Sequence, residues 1–167
     1  MSIISIDFFG TLDVYPVFWR EMLSYVILEG IKVYVISGPA PNAILSLLKF
    51  NGYTPKVHFT NVVSIFSHLA MEGESTWYSE AHDSYRCVEE TYWNSKAEIC
   101  HRLGSQIHFD NDTRFGHAFG KVPTRFVHNA KEPGKALIKE WHNSLKLANA
   151  YEEWEEDFMY MNGFFPM

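Results

Sequence analysis

Asp7, Ser37, Lys96, Asp110 and Asp112 are the residues of this chain whose types, order and positions could do chemistry together. Asp7 follows the apolar run Ile3-Ile4-Ser5-Ile6 and leads into Phe8-Phe9-Gly10-Thr11-Leu12. A carboxylate just past a buried strand lies where open α/β sheets place their ligands. There it can act as a nucleophile, as aspartate does in aspartyl-phosphate chemistry. Ser37 can give a hydroxyl to a phosphoryl oxygen, Lys96 a cation for developing charge, and the acids at 110 and 112 hard oxygen ligands for a metal. Taken singly, each has a plainer use. Asp7 can cap a turn and Ser37 a helix; Lys96 can sit on the surface, and Asp110 and Asp112 in a turn. The functional reading rests on the order and chemistry of the set.

Such a set needs strands that deliver it to one edge of a sheet. Residues 2–7 read as a strand buried on both faces. Residues 16–29 read as a helix that Gly30 ends, and residues 31–36 as a second strand stopping at Ser37-Gly38. Pro41 suits the first turn of a helix that runs to about Phe50, with Asn51-Gly52 closing it. Residues 57–66 form a third β-rich segment. Residues 67–93 read as an insertion or extended loop, partly helical from about Ser84, holding Trp77, Tyr78, Tyr85, Tyr92 and Trp93 among acids and two histidines. A helix over 95–103 is stopped by Gly104 and feeds a strand over 106–109. A short helix at about 113–119 and a strand over 123–127 follow. Residues 132–160 read as a long C-terminal helix, with the apolar tail Phe164-Phe165-Pro166-Met167 packing back on the domain. Strands alternating with helices predict an α/β domain with a mainly parallel sheet. The polar strand ends Asp7, Ser37 and Asp110 then meet at its mouth.

The bulk properties agree with one globular domain. The chain has 167 residues, 47% hydrophobic and 20% charged, enough for a core without covalent staples. A net charge of −6 argues against duplex nucleic acid, which needs a basic face, but leaves room for a small phosphorylated ligand. Two cysteines, Cys87 and Cys100, give neither a disulfide framework nor zinc spacing. The expectation is a reduced, cytoplasmic chain without a signal peptide. No apolar run reaches the roughly 18 residues of a membrane span.

The set resembles the haloacid dehalogenase (HAD) superfamily, with a candidate for each of its four motifs in order. Asp7-Phe8-Phe9-Gly10-Thr11-Leu12 is similar to the first motif, usually Asp-x-Asp-Gly-Thr. Val35-Ile36-Ser37-Gly38 resembles the second. Lys96 in Ser95-Lys96-Ala97-Glu98-Ile99-Cys100 resembles the third, and Ile107-His108-Phe109-Asp110-Asn111-Asp112 the fourth. The resemblance covers about residues 2–129. It implies a Rossmann-like three-layer sandwich as the core of residues 1–130; it does not explain the insertion or the C-terminal helix, and residues 131–167 are expected to pack on the core in the same domain.

The resemblance also implies roles. Asp7 would attack phosphorus, and Mg²⁺ would be held by the Asp7 carboxylate, the Phe9 main-chain carbonyl and Asp110, with Asp112 as a further metal ligand or supporting acid. Ser37 and the Gly38 amide would hold phosphoryl oxygens, with Gly10 and Thr11 beside the substrate. Lys96 would offset the charge of Asp7 and the phosphate. Relatives usually carry an acid where Phe9 stands. Losing general acid–base help typically costs 10²–10⁴-fold. Two readings follow: a magnesium-dependent phosphohydrolase slowed by that loss, or an inactive HAD-like protein that binds a phosphorylated or nucleotide ligand. A dehalogenase, which also has an aromatic there, conflicts with the acids of motif four, since carboxylates crowded around Asp7 repel it.

The segments between motifs leave no room for a full cap domain. Trp77 and Tyr78 could stack on a base, and Arg114 could clamp a phosphate. The plainer use of the aromatic segment is a sealed loop, or a contact between copies in a homo-oligomer. A third class, a structural module working through its acidic helix and apolar tail, would leave Asp7, Lys96 and Asp110 dispensable.

Overall fold

The computed structural model of the protein describes residues 2–128. The sequence-predicted C-terminal helix and tail lie outside the described residues. Five parallel strands form the central sheet: β1 (Ile3–Ile6), β2 (Lys32–Ser37), β3 (Asn61–Ser64), β6 (Ile107–Asp110) and β7 (Arg125–His128). Their spatial order is β3-β2-β1-β6-β7. The chain therefore builds outward from β1 through α1 (Pro16–Leu28), β2, α2 (Pro41–Phe50) and β3, then returns to lay β6 on the other side of β1. The point between β1 and β6 is where strand order reverses, and the carboxyl ends of the strands open a crevice there.

The local signals for the first half are plain. Proline occupies the first turn of α1 and of α2, where a missing N–H costs nothing. Gly30 and Gly52 take left-handed conformations just past those helices. On one face of the sheet, α1 and α2 bury Trp19, Met22, Leu23, Val26, Ile44 and Leu48 against Ile4, Ile6, Val33, Val35, Ile107 and Phe109. On the other, a second cluster joins Ile36 to α3 (Ile65–Met71), α4 (Glu89–Leu103) and the segment after β6. This segment is the short α5 (Thr113–Gly116) and a 3₁₀ turn, His117–Lys121.

The stretch between β3 and β6 departs from expectation. Only Asn61–Ser64 of the β-rich 57–66 segment is strand; Ser64 then caps α3, its hydroxyl accepting from Ser67 N. The insertion is not an extended loop. Residues 67–71 finish α3, and β4 (Thr76–Ser79) pairs antiparallel with β5 (Ser84–Cys87) in a hairpin. The residues from Ser84 are thus strand rather than helix, and α4 starts at Glu89, six residues before the expected 95. Glu89 and Glu90 in its first turn favour the helix dipole, and left-handed Gly104 ends it as expected. No helix among the described residues is long and apolar enough to cross a membrane.

Trp19 is the largest fully buried side chain and packs edge-on against Phe109 with ring centroids 5.5 Å apart. Trp19→Ala should lower unfolding free energy by about 3–5 kcal/mol, read as a shift of the urea midpoint at unchanged slope.

Candidate active site

Strand alternation decides which residues meet. Side chains two apart on a strand share a face. Ile4 and Ile6 of β1 enter the α1/α2 core, so Ser5 and the next residue of that face, Asp7, turn toward α4. On β6 the same rule sends Ile107 and Phe109 one way and His108 and Asp110 the other. On α4, residues four apart stack on one stripe. Cys100 Sγ reaches Ser5 Oγ at 3.2 Å, and Lys96, one turn earlier, reaches the acids.

Lys96 Nζ donates to Asp7 Oδ1 at 2.7 Å and to Asp110 Oδ2 at 2.6 Å, and all three side chains are buried. The ammonium also lies 4.1 Å from the centre of the Phe115 ring. The structure brings Asp7, Lys96 and Asp110 to one place, and Lys96 is buried rather than on the surface. Behind Asp110 runs a polar seam that sequence reasoning did not single out. His108, fully buried and stacked on Phe119 with centroids 5.3 Å apart, bonds Asp110 Oδ2 through Nε2 at 3.2 Å and Ser5 Oγ through Nδ1 at 2.8 Å. Ser5 Oγ also meets Ser105 Oγ at 2.9 Å. Burial foremost lowers the His108 pKa. A neutral ring placed so donates from Nε2–H to Asp110 and accepts at Nδ1 from Ser5.

The two acids are shifted in opposite directions. Burial, the largest influence, drives the Asp7 carboxyl up from its ordinary 3.8 to about 7 against the pull of Lys96, and the charge of Asp110 adds to the rise. Burial acts upward on Asp110 too, but the His108 hydrogen bond and Lys96 outweigh it and hold that carboxyl at about 2. Lys96 is itself raised, its burial being outweighed by the two carboxylates.

The turn Phe8–Leu12 after β1 shapes the front of the site. Phe9 is extended and Gly10 left-handed at φ +78°. Gly10 N donates to Asp13 Oδ1 at 2.7 Å, and a Cβ on Gly10 would fall 2.2 Å from Asn111 Nδ2. Glycine is required by both the conformation and the close approach. Asn111 in turn sets its amide against Asp7 Oδ2 and the Phe9 carbonyl oxygen. With nitrogen inward it donates to them at 3.3 Å and 2.7 Å; with oxygen inward, only acceptors meet. The Asp7 carboxylate and the Phe9 carbonyl thus share the Asn111 amide, and a carboxylate, a peptide carbonyl and an amide carbonyl are donors that a hard cation accepts. Among the described residues, no group of three or more His, Cys, Asp and Glu side chains forms a metal cage.

The other expected residues fall into two groups. Ser37 ends β2 almost fully buried and lines the cleft with Gly38 and Phe9, without a side-chain hydrogen bond among the described residues. Ser37 caps no helix: Ala40 holds that position before α2. Arg114 also lines the cleft, over the Trp93 ring at 4.1 Å and bonded to both Asp112 oxygens. Asp112 lines the cleft as well, with its carboxylate bonded to Arg114. It caps α5 by accepting from Arg114 N at 3.1 Å. Thr11 is buried away from the cleft, its hydroxyl unpartnered among the described residues.

The hairpin overhangs the site. Its register sets Tyr78 opposite Tyr85 and Trp77 opposite Arg86 on the other face. Tyr78 and Tyr85 line the cleft; Trp77 does not. The cleft holds about 1110 Å³, with acids and Lys96 at its floor and Phe9, Phe66, Tyr85, Tyr92 and Trp93 on its walls. No protein-family model, curated protein or solved structure matches the chain.

The unusual state of Asp7 has a consequence for stability. A carboxyl whose pKa is higher folded than unfolded holds a proton that the unfolded chain releases, so stability falls as pH rises between the two values. The wild type should lose stability from about pH 4 to about pH 7 relative to Asp7→Asn, which has no such group. Thermal melts of both proteins across that range check it, and parallel curves would contradict the elevated Asp7.

Proposed function

We propose that the chain is a magnesium-dependent phosphohydrolase of the haloacid dehalogenase type. It acts on a small nucleotide-like or other phosphorylated molecule through an aspartyl-phosphate on Asp7. The observation that carries this is the buried Lys96 bridging Asp7 and Asp110 at the point where strand order reverses, beside the Asp7 carboxylate and the Phe9 carbonyl that meet at the Asn111 amide. The strand order and the four motifs in register support the family.

Asp7 Oδ2, the Phe9 carbonyl and the Asn111 amide oxygen would hold Mg²⁺, with Asp110 Oδ1, which accepts only the Asp112 N–H, as a further oxygen. When bound, the ion neutralises charge on the phosphoryl group. Lys96 keeps Asp7 aligned and lowers the cost of bringing an anion to it. The unpartnered Ser37 hydroxyl and the Gly38 amide take phosphoryl oxygens. Asp7 then attacks phosphorus and the leaving oxygen departs toward the aromatic walls, where Tyr78, Tyr85 and Phe9 select an apolar or planar group.

Phe9 favours a second reading. Its half-exposed ring offers no proton at the mouth, which suits a protein that binds such a ligand without turning it over. Phosphorus NMR separates the two readings: purified protein with Mg²⁺ and a panel of nucleotides, acyl phosphates and phosphosugars. The hydrolase reading expects inorganic phosphate from the wild type and none from Asp7→Asn. Shifted ligand signals without release over hours would favour the binder, and release that persists in Asp7→Asn would remove Asp7 as nucleophile.

A further inference from the structure

With Phe9 in place of an acid, an alkoxide leaving phosphorus needs another proton source. The stripe of α4 that carries Lys96 offers one. Tyr92 lies one turn before Lys96, about 5.4 Å further along the helix. Cys100 sits level with Ser5 and Lys96 with Asp7, so the turn of Tyr92 stands beyond the strand ends, over the cleft. Three rings fix it. Phe66 stacks on it with centroids 5.7 Å apart, Phe115 lies at 5.4 Å, and Trp93 meets it edge-on at 5.1 Å. The hydroxyl is therefore held in one place. It faces the Ser37-Gly38 turn, where a Cβ on Gly38 would come 3.5 Å from Tyr92 Oη. Among the described residues it has no hydrogen-bond partner. A largely buried tyrosine usually finds one, so its donor is available to a ligand in the cleft.

We propose that Tyr92 Oη is the proton donor to the leaving-group oxygen, in the part a carboxylic acid at position 9 would play. The inference rests on the hydrolase reading. As an Asp7 oxygen bonds to phosphorus, the bond from phosphorus to the leaving oxygen breaks and its electron pair stays on that oxygen, which takes the phenolic proton. The product leaves as an alcohol and Tyr92 is left as phenolate. In the second half, the phenolate takes a proton from the water that attacks phosphorus. Phosphate leaves, and Asp7 and the phenol are restored. The charges around Tyr92 suit both halves. Burial foremost keeps the phenol protonated, Asp7, Asp110 and Cys87 act the same way, and Lys96 favours the transient phenolate.

The test is Tyr92→Phe, which keeps the clamped ring, assayed by phosphate release against monoesters of graded leaving group, from p-nitrophenyl to alkyl phosphates. Protonation matters more as the leaving oxygen becomes more basic, so kcat/KM, which reports the half in which that oxygen departs, should fall about 100-fold for alkyl esters and less than about threefold for p-nitrophenyl phosphate. Phe9→Asp in the Tyr92→Phe background should restore alkyl ester turnover, which separates lost proton transfer from damaged folding. An equal fall across the series would overturn the proposal and make Tyr92 a holder of a non-bridging phosphoryl oxygen. No fall for any ester would also overturn it, and either result with an active wild type leaves the hydrolase reading intact. A wild type inactive on every ester with Mg²⁺ overturns both.

Discussion

A buried ammonium between two buried carboxylates sets the terms for this molecule. Taking an ion out of water costs several kcal/mol even after relaxation. Lys96 bears that cost only because Asp7 and Asp110 meet it at 2.7 Å and 2.6 Å. Each partner arrives on a different element, and one residue of slippage in any of them would leave a charge unpaired in the core. The depth of α4 against the sheet, the pairing of β1 with β6 and the polar site are therefore one constraint. His108 extends it inward: its bond to Asp110 orients the acid that the lysine needs.

This constraint explains why the face of the sheet beneath α4 is so much more polar than the opposite face. Ser5, His108, Ser105 and Cys100 form a continuous hydrogen-bonded seam under the ion triad, while Ile4, Ile6, Ile107 and Phe109 fill an apolar layer on the other side. The Cys100 thiol belongs to that seam as structure. Burial pushes it up to about 12, so it stays protonated and unreactive.

The first half of the fold was legible because its punctuation is strong. Pro16, Pro41, Gly30 and Asn51-Gly52 bracket helices between continuous apolar strands, and these boundaries match within a residue or two. The hairpin was not legible. Its strands are four residues each, carry aromatics on both faces and join through residues 80–83 without an Asn-Gly or Gly-rich turn; Asp83 takes the left-handed conformation instead. The early start of α4 could have been read from Glu89 and Glu90, since paired acids favour a helix N-terminus. Within the site, Asp7, Lys96, Asp110 and Ser37 stood out by type. Asn111 and His108 did not, because an amide and an apolar-flanked histidine look ordinary until a tight Gly10 turn and strand alternation aim them. The bonds of Asp112 to its neighbour Arg114 were not legible, a local competition that spacing does not reveal.

The Phe8–Leu12 turn divides position 9 into two parts with different owners. Its carbonyl points inward to Asn111 and Asp7, while its ring stands at the rim. A peptide oxygen is the same in every amino acid, so the inner architecture is blind to which side chain occupies the position. Chemistry at the rim can then be rewritten by single codon changes without rebuilding the floor. An aromatic rim and an acidic rim are, on this scaffold, neighbouring solutions in sequence space.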